Sequence, residues 1–229
     1  MVIIDVIIPA HNEEKSIARV VEEIPRDLVR EIIVSSNNSN DDTAAVARRA
    51  GATVLEEAQM GYGNACLKGI KYINSKDVPP DILVFLDGDL SDYPEEMPAL
   101  VEPILRDECD LVIGSRALGR REPGSMTPQQ LFGNWLATRL MRLFYGVHYT
   151  DLGPFRAIRF KSLMDLDMKD RNYGWTIEMQ VKAARNKLKS CEVPVSYRRR
   201  IGFSKVSGTL KGSVLAGIKI LYTLFKYIR

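Results

Sequence analysis

Asp87-Gly88-Asp89 follows directly on the apolar run Ile82-Leu83-Val84-Phe85-Leu86. Two carboxylates one residue apart, at the end of a buried strand, are hard oxygen ligands of the kind that Mg²⁺ or Mn²⁺ takes alongside phosphates. In an open α/β sheet, ligands gather beyond the carboxyl ends of the parallel strands. A diphosphate-bearing substrate is the chemistry this implies. Asp92, Glu95 and Glu96 read as acids in the first turn of the next helix, where the dipole favours them. That account does not reach Asp87 and Asp89, which precede the cap.

Other strand ends are polar as well. The first strand ends Ile8-Pro9-Ala10-His11-Asn12-Glu13-Glu14, with Asn12 placed to cap the next helix. The second ends Ser36-Asn37-Asn38-Ser39-Asn40-Asp41-Asp42-Thr43, which reads equally as an extended helix cap. Gly61-Tyr62-Gly63 opens a further helix, and such glycines allow a nucleotide or phosphate to approach the backbone closely.

Positioning these loops requires alternating strands and helices. Val2–Ile8, Glu31–Ser35, Thr53–Leu55, Asp81–Leu86 and Asp110–Ile113 read as strands, and their continuous apolar runs suit burial on both faces. Helices are expected over Glu13–Ile24, Thr43–Ala50, Asn64–Ile73 and Met97–Arg106. The pattern predicts an α/β fold with a doubly wound, mostly parallel sheet and helices on both faces. After a Gly-, Pro- and Arg-rich loop from Arg116 to Pro128, the regularity weakens. A helix over Gln129–Tyr145, a strand near Pro154–Phe160, a helix over Tyr173–Asn186, a strand over Ser190–Tyr197 and a terminal helix over Leu210–Ile228 follow. We read one domain over residues 1–229, with a nucleotide-binding half (1–116) and an acceptor-side half (117–229).

Composition narrows the classes. The chain has 229 residues, 45% of them hydrophobic, and a net charge of +3, which gives no electrostatic case for a nucleic-acid partner. Cys66, Cys109 and Cys191 lie far apart in no metal-ligand spacing and read as reduced, buried residues. His11 and His148 are the only histidines, which excludes a His-rich metal site. With no basic leader at the start and no apolar run of about 18 residues, a cytoplasmic location is expected. Peripheral contact with the cytoplasmic face of a membrane stays open.

Several of these motifs together resemble the family 2 glycosyltransferases, of the nucleotide-sugar transferase fold called GT-A. Val6-Ile7-Ile8-Pro9-Ala10-His11-Asn12-Glu13 resembles that family's opening motif, Asn38-Ser39-Asn40-Asp41-Asp42-Thr43 its second loop, and Asp87-Gly88-Asp89 its DxD motif. Within the family, Asp87 to Ser91 with Pro94-Glu95, Gly114-Ser115-Arg116, Asp151 ahead of Phe155-Arg156-Ala157, and Gly202-Phe203-Ser204-Lys205 resemble the dolichyl-phosphate mannose and polyprenyl-phosphate hexose synthases.

The resemblance implies a metal-dependent transfer of a hexose from a UDP- or GDP-sugar, with inversion, to a polyprenyl phosphate. A soluble sugar or phosphorylated acceptor is the alternative. It implies that Pro9, Ala10, Glu13 and Asn37 line the nucleoside, with Gly61, Gly63 and Gly88 nearby. Asp87 and Asp89 would hold Mg²⁺ or Mn²⁺ with Ser91 as a third position, and Arg116, Arg200 and Lys205 would face anionic oxygens. Asn37 stands where the family carries an acid, though an amide can still bond a base edge.

The residues alone leave other choices open. Glu178, an acid on an otherwise apolar helix, is either a general base or a solvated side chain, and Asp151 is the second candidate base. Arg198-Arg199-Arg200 is either a solvated run or an anion contact, and its place after a strand favours contact. The helices with Leu131, Trp135 and Phe144, and with Leu215, Ile218 and Phe225, offer apolar faces for the core, a homodimer or a membrane surface. A nucleotidyltransferase would need a basic Gly-rich segment after the first strand, which Pro9–Glu14 is not. A non-catalytic nucleotide-binding scaffold would lack the acidic pair or the basic loop.

Overall fold

The structure is a computed structural model that describes residues 2–202 and 210–228. Lys205 and its neighbours Phe203 and Ser204 lie outside the described residues. Seven strands form one sheet: β1 (Ile4–Ala10), β2 (Glu31–Asn37), β3 (Thr53–Glu57), β4 (Ile82–Phe85), β5 (Leu111–Ser115), β6 (Arg156–Arg159) and β7 (Ser190–Pro194). Their spatial order is β3-β2-β1-β4-β6-β5-β7. Eight helices flank them: α1 (Ile17–Glu23), α2 (Thr43–Arg49), α3 (Tyr62–Asn74), α4 (Met97–Leu105), α5 (Pro128–Tyr145), α6 (Phe160–Leu166), α7 (Trp175–Arg185) and α8 (Leu210–Lys226).

Side chains alternate across the sheet and are buried on both faces. Val6, Ile8, Ile32, Val34 and Val84 pack beneath α1, α2 and α4. Ile7, Ile33, Leu83 and Phe85 pack on the opposite side with residues of α3, α6 and α7. This explains why the strands read as unbroken apolar runs rather than alternating ones.

One strand decides how the site is assembled. β6 lies between β4 and β5 and runs antiparallel to both. Its first residue, Arg156, therefore sits beside Phe85 and Ile113, at the carboxyl ends of the parallel strands. Residues 151–155 thus join the loops that follow β1, β2, β4 and β5.

Helix boundaries shift for identifiable reasons. α1 starts at Ile17 rather than Glu13, because the amides ahead of it bond to the loop after β2. Asn12 N donates to Ser39 Oγ (3.1 Å), Glu13 N to Thr43 Oγ1 (2.8 Å) and Glu14 N to Asp41 Oδ2 (3.2 Å). Asn12 has φ of 54° and accepts from Asn40 N (2.8 Å), so it staples two loops instead of capping α1. α5 carries a full capping box, Thr127 with Gln130, and ends at Gly146 in the left-handed conformation. α6 was not expected from sequence.

Cys109 and Cys191 are joined as a disulfide with Cα atoms 6.2 Å apart, which corrects the expectation of three reduced thiols. Pairing of β5 with β7 sets Val112 opposite Cys191 and so brings the two cysteines together. Cys66 remains a buried free thiol.

Candidate active site

A cavity of about 1070 Å³ opens at the carboxyl edge of the sheet. Pro9, Ala10, Glu13, Asn37, Gly61, Asp87, Gly88, Asp89, Arg116 and Arg200 all line it. These residues come from six separate loops, and the β1, β2 and β4 ends supply most of them. The opposite half is largely apolar, with Phe132, Leu136, Trp175, Ile220 and Leu221 contributed by α5, α7 and α8.

The acidic pair is held under electrostatic tension. Asp87 Oδ1 is buried without a hydrogen-bond partner. Burial, and then the charge of Asp89, push the Asp87 carboxyl up to about 7, against an opposing hydrogen bond from Tyr62. Asp92 is buried as well and its carboxyl is also raised, by burial and by the charges of Asp87 and Asp89. An orphaned carboxylate oxygen among three crowded acids fits a hard divalent cation. Among the described residues, no group of three or more His, Cys, Asp or Glu side chains could hold a metal by itself. The remaining ligands would be phosphate oxygens and water, the usual arrangement for Mg²⁺ at phosphate sites.

Asp89 is oriented through both oxygens. Oδ1 accepts from Ser91 N (2.9 Å) and Ser91 Oγ (2.5 Å), and Oδ2 pairs with Arg200 Nη1 (3.0 Å). Ser91 thus spends its proton on Asp89, and it does not line the cavity. Arg200 also reaches Glu13 Oε1 (2.8 Å) and so bridges two acids that line the cavity.

Of the basic run, only Arg200 lines the cavity. Arg198 donates to Leu90 O (2.7 Å), pairs with Glu23 (2.5 Å) and stacks 4.3 Å from the Tyr93 ring centre. Arg199 donates to Pro123 O (2.7 Å). Arg198 clamps the 197–201 segment against the acidic loop, and Arg199 clamps it against the 122–123 segment.

The two candidate bases are otherwise engaged. Asp151 is 1% exposed and receives three bonds from Arg116: N to Oδ2 (2.8 Å), Nε to Oδ2 (2.7 Å) and Nη2 to Oδ1 (2.7 Å). It positions Arg116 and does not line the cavity. Burial alone would lower the Arg116 pKa, and Asp151 reverses that, so the guanidinium stays charged. Glu178 also lies outside the cavity lining. Its oxygens accept from Asp170 N (2.6 Å) and Tyr227 OH (2.9 Å) and pair with Lys182 (2.8 Å). It ties α7 to α8 and to the preceding loop. Glu178→Gln is therefore expected to cost about 2 kcal/mol of stability, as for hydrogen bonds to charged groups, with turnover retained; urea unfolding beside a donor-consumption assay checks this.

Two other expectations change in detail. Asn37 spends its amide locally: Oδ1 accepts from Gly61 N (2.7 Å) and Nδ2 donates to Gln59 O (2.7 Å). It shapes the 59–61 loop, of which Met60 and Gly61 line the cavity. A Cβ at Gly61 or Gly63 would meet the backbone oxygen of Arg171 or Asp170 at 2.1 Å. These glycines permit close packing of α3 on residues 170–171, and Gly63 does not reach the cavity lining.

Residues not foreseen are Tyr62, Tyr197, Asp92 and Arg156. Arg156 is fully buried with no acid partner and donates to Gly153 O (3.0 Å), Leu152 O (3.2 Å) and Thr176 O (3.1 Å). Burial lowers its pKa to about 10. It fixes the 151–154 turn, and no local pattern distinguishes such an arginine from a surface one.

An open α/β sheet with an acidic pair at its carboxyl edge and an adjoining cavity is the arrangement expected of a GT-A fold. The chain belongs to glycosyl transferase family 2, whose profile matches residues 5–167. It is similar to an uncharacterized glycosyltransferase of Mycobacterium tuberculosis (36% identical, over 93% of this chain and 94% of that one). It is 29% identical to an undecaprenyl-phosphate mannosyltransferase of Micrococcus luteus, over 69% of this chain and 65% of that one. Among solved structures, glucosyl-3-phosphoglycerate synthase from Mycobacterium tuberculosis with Mn²⁺ and UDP-glucose superimposes with a TM-score of 0.75 at 25% identity, covering 98% of this chain and 78% of that one.

That structural match corrects the narrower resemblance. The fold that aligns along nearly the whole chain is a synthase named for a phosphoglycerate product, not a polyprenyl-phosphate hexose synthase. The peripheral membrane contact left open above finds no support in that match. No helix among the described residues is long and apolar enough to cross a membrane.

Proposed function

We propose that this glycosyltransferase moves a hexose from a nucleoside-diphosphate sugar to a small phosphorylated acceptor, with Mn²⁺ or Mg²⁺ bound at Asp87 and Asp89. The carrying observation is the orphaned Asp87 oxygen beside Asp89, at the mouth of a cavity that Arg116 and Arg200 also line. Similarity to the synthase solved with Mn²⁺ and UDP-glucose supports UDP-glucose as the first donor to test.

The chemistry follows from charge. An acceptor oxygen bonds to the anomeric carbon while the bond from that carbon to the diphosphate oxygen breaks. The electron pair leaves on the diphosphate. A divalent cation neutralises part of that developing charge. Arg116 and Arg200 add fixed positive charge in a partly dry site, where it acts more strongly than in water. Asp151 keeps Arg116 aimed without rearrangement during the reaction. The proton of the attacking acceptor hydroxyl passes to the departing diphosphate or to water, and with Glu178 and Asp151 committed elsewhere we assign no protein base. Inversion stays the family expectation.

The test incubates the chain with Mn²⁺ and either UDP-glucose or GDP-mannose. Each donor is offered 3-phosphoglycerate, glycerate or a polyprenyl phosphate. Nucleotide release with 3-phosphoglycerate and not with glycerate is expected, and the anomeric coupling constant of the product reads the stereochemistry. Turnover confined to the polyprenyl phosphate, or none with any pair, overturns the proposed acceptor class.

A further inference from the structure

The segment that carries Asp151 belongs to no helix or strand. Every backbone amide and carbonyl of residues 150–152 is nonetheless bonded to a side chain. Thr150 N donates to Glu192 Oε1 and Oε2 (both 2.9 Å), and Asp151 N to Glu192 Oε1 (3.0 Å). Leu152 N donates to Asn134 Oδ1 (2.8 Å), and Asn134 Nδ2 donates to Thr150 O (2.9 Å). Gln180 Nε2 donates to Asp151 O (3.0 Å), and Arg156 Nη2 to Leu152 O (3.2 Å). These four side chains come from β7, α5, α7 and β6.

Buried backbone groups must be paired, and most of them pair with other backbone. Here side chains from four separate elements do it around one turn. The turn also presses on the end of β5. A Cβ at Gly153 would meet Gly114 O at 2.4 Å, and Thr150 Oγ1 lies 2.6 Å from Ser115 Oγ. What this frame holds still is Asp151, which spends both carboxylate oxygens on Arg116. Asn134 lines the cavity, yet both ends of its amide are taken by the turn.

We propose that Asn134 and Glu192 are positioning residues for Arg116. They hold the 150–152 turn from two sides, so that Asp151 keeps the guanidinium aimed at the diphosphate. The inference rests on the role given to Arg116 above. Displacing a catalytic group by about 1 Å costs up to roughly 100-fold in rate, even when the cause lies outside the reacting atoms.

Rates are measured with the donor and acceptor that the wild-type chain turns over. They are scaled to the number of sites that bind UDP or GDP with Mn²⁺, so that unfolded protein does not count. Asn134→Ala and Glu192→Ala are each expected to lower kcat at least about tenfold, with the donor KM little changed. Glu192→Gln still offers a carbonyl oxygen to both amides that Oε1 serves, and is expected to recover most of the kcat lost in Glu192→Ala. In an Arg116→Gln background no guanidinium is left to aim, so Asn134→Ala should cost less than about twofold further.

Equal fractional losses of kcat in both backgrounds, or no recovery in Glu192→Gln, overturn the inference and leave these residues as props of the fold. A raised acceptor KM at unchanged kcat in Asn134→Ala also overturns it, because the amide would then touch the acceptor. Full turnover in Arg116→Gln overturns the role of Arg116 itself, and a wild-type chain that consumes no nucleotide-sugar overturns the donor reading; the inference falls with either. Asn134→Asp keeps the acceptor for Leu152 N and loses the donor to Thr150 O, and it replaces Asn134→Ala if that variant does not fold.

Discussion

Asp89→Ala is expected to weaken Mn²⁺-dependent nucleotide binding by at least about 100-fold and to cut turnover by about 1000-fold or more, on the scale of losing a key electrostatic contact in a transition state. The side chain is where the site converges. Ser91 holds one oxygen and Arg200 the other. The fold should survive. Arg200 keeps Glu13 at 2.8 Å, and Ile201 N still bonds the backbone oxygen of residue 89 at 3.0 Å. Calorimetry of nucleotide binding with Mn²⁺ and with chelator reads the effect directly. Nucleotide binding that stays Mn²⁺-dependent and undiminished in this variant would show that the cation sits elsewhere.

Asp151→Ala is expected to cost about 3–5 kcal/mol of stability, because it strands a buried guanidinium without its counter-charge. Arg116 and Asp151 side chains are only 10% and 1% exposed, so little water can replace the lost partner. Turnover should fall too, since Arg116 loses three bonds that aim it. The pH–rate profile of whatever activity remains should keep its shape, because Asp151 takes no proton in the reaction. Denaturant midpoints and that profile separate the two roles. A variant of native stability that lacks the basic limb of the profile would restore Asp151 as a general base.

The cavity residues at the strand ends were legible because they follow strands. Pro9, Ala10, Asn37, Asp87 and Asp89 lie at or just beyond the carboxyl ends of β1, β2 and β4, and parallel strands deliver such ends to one edge. The surroundings of Arg116 were not legible in this way. Asp151 lies 35 residues from Arg116 in sequence. The antiparallel insertion of β6 brings them together, and strand direction leaves no mark on a run as short as Arg156–Arg159. Glu178 looked unusual on its helix, but its partners are Lys182 one turn on, the 169–170 backbone and Tyr227 just past α8. The glycines at 61 and 63 were read as points where a nucleotide or phosphate approaches, and the group that approaches them in the fold is the chain's own backbone.

By itself the sequence determined the α/β alternation, the polar loops at the strand ends and the acidic pair, because each depends on local periodicity and residue type. The tertiary structure decided which charges meet. It set Arg200 on Asp89 and Asp151 on Arg116, since those contacts depend on strand order and on the path of distant segments. A carboxylate's role as ligand, base or prop depends on which partners claim its oxygens. That is a property of the packed chain and not of the residue.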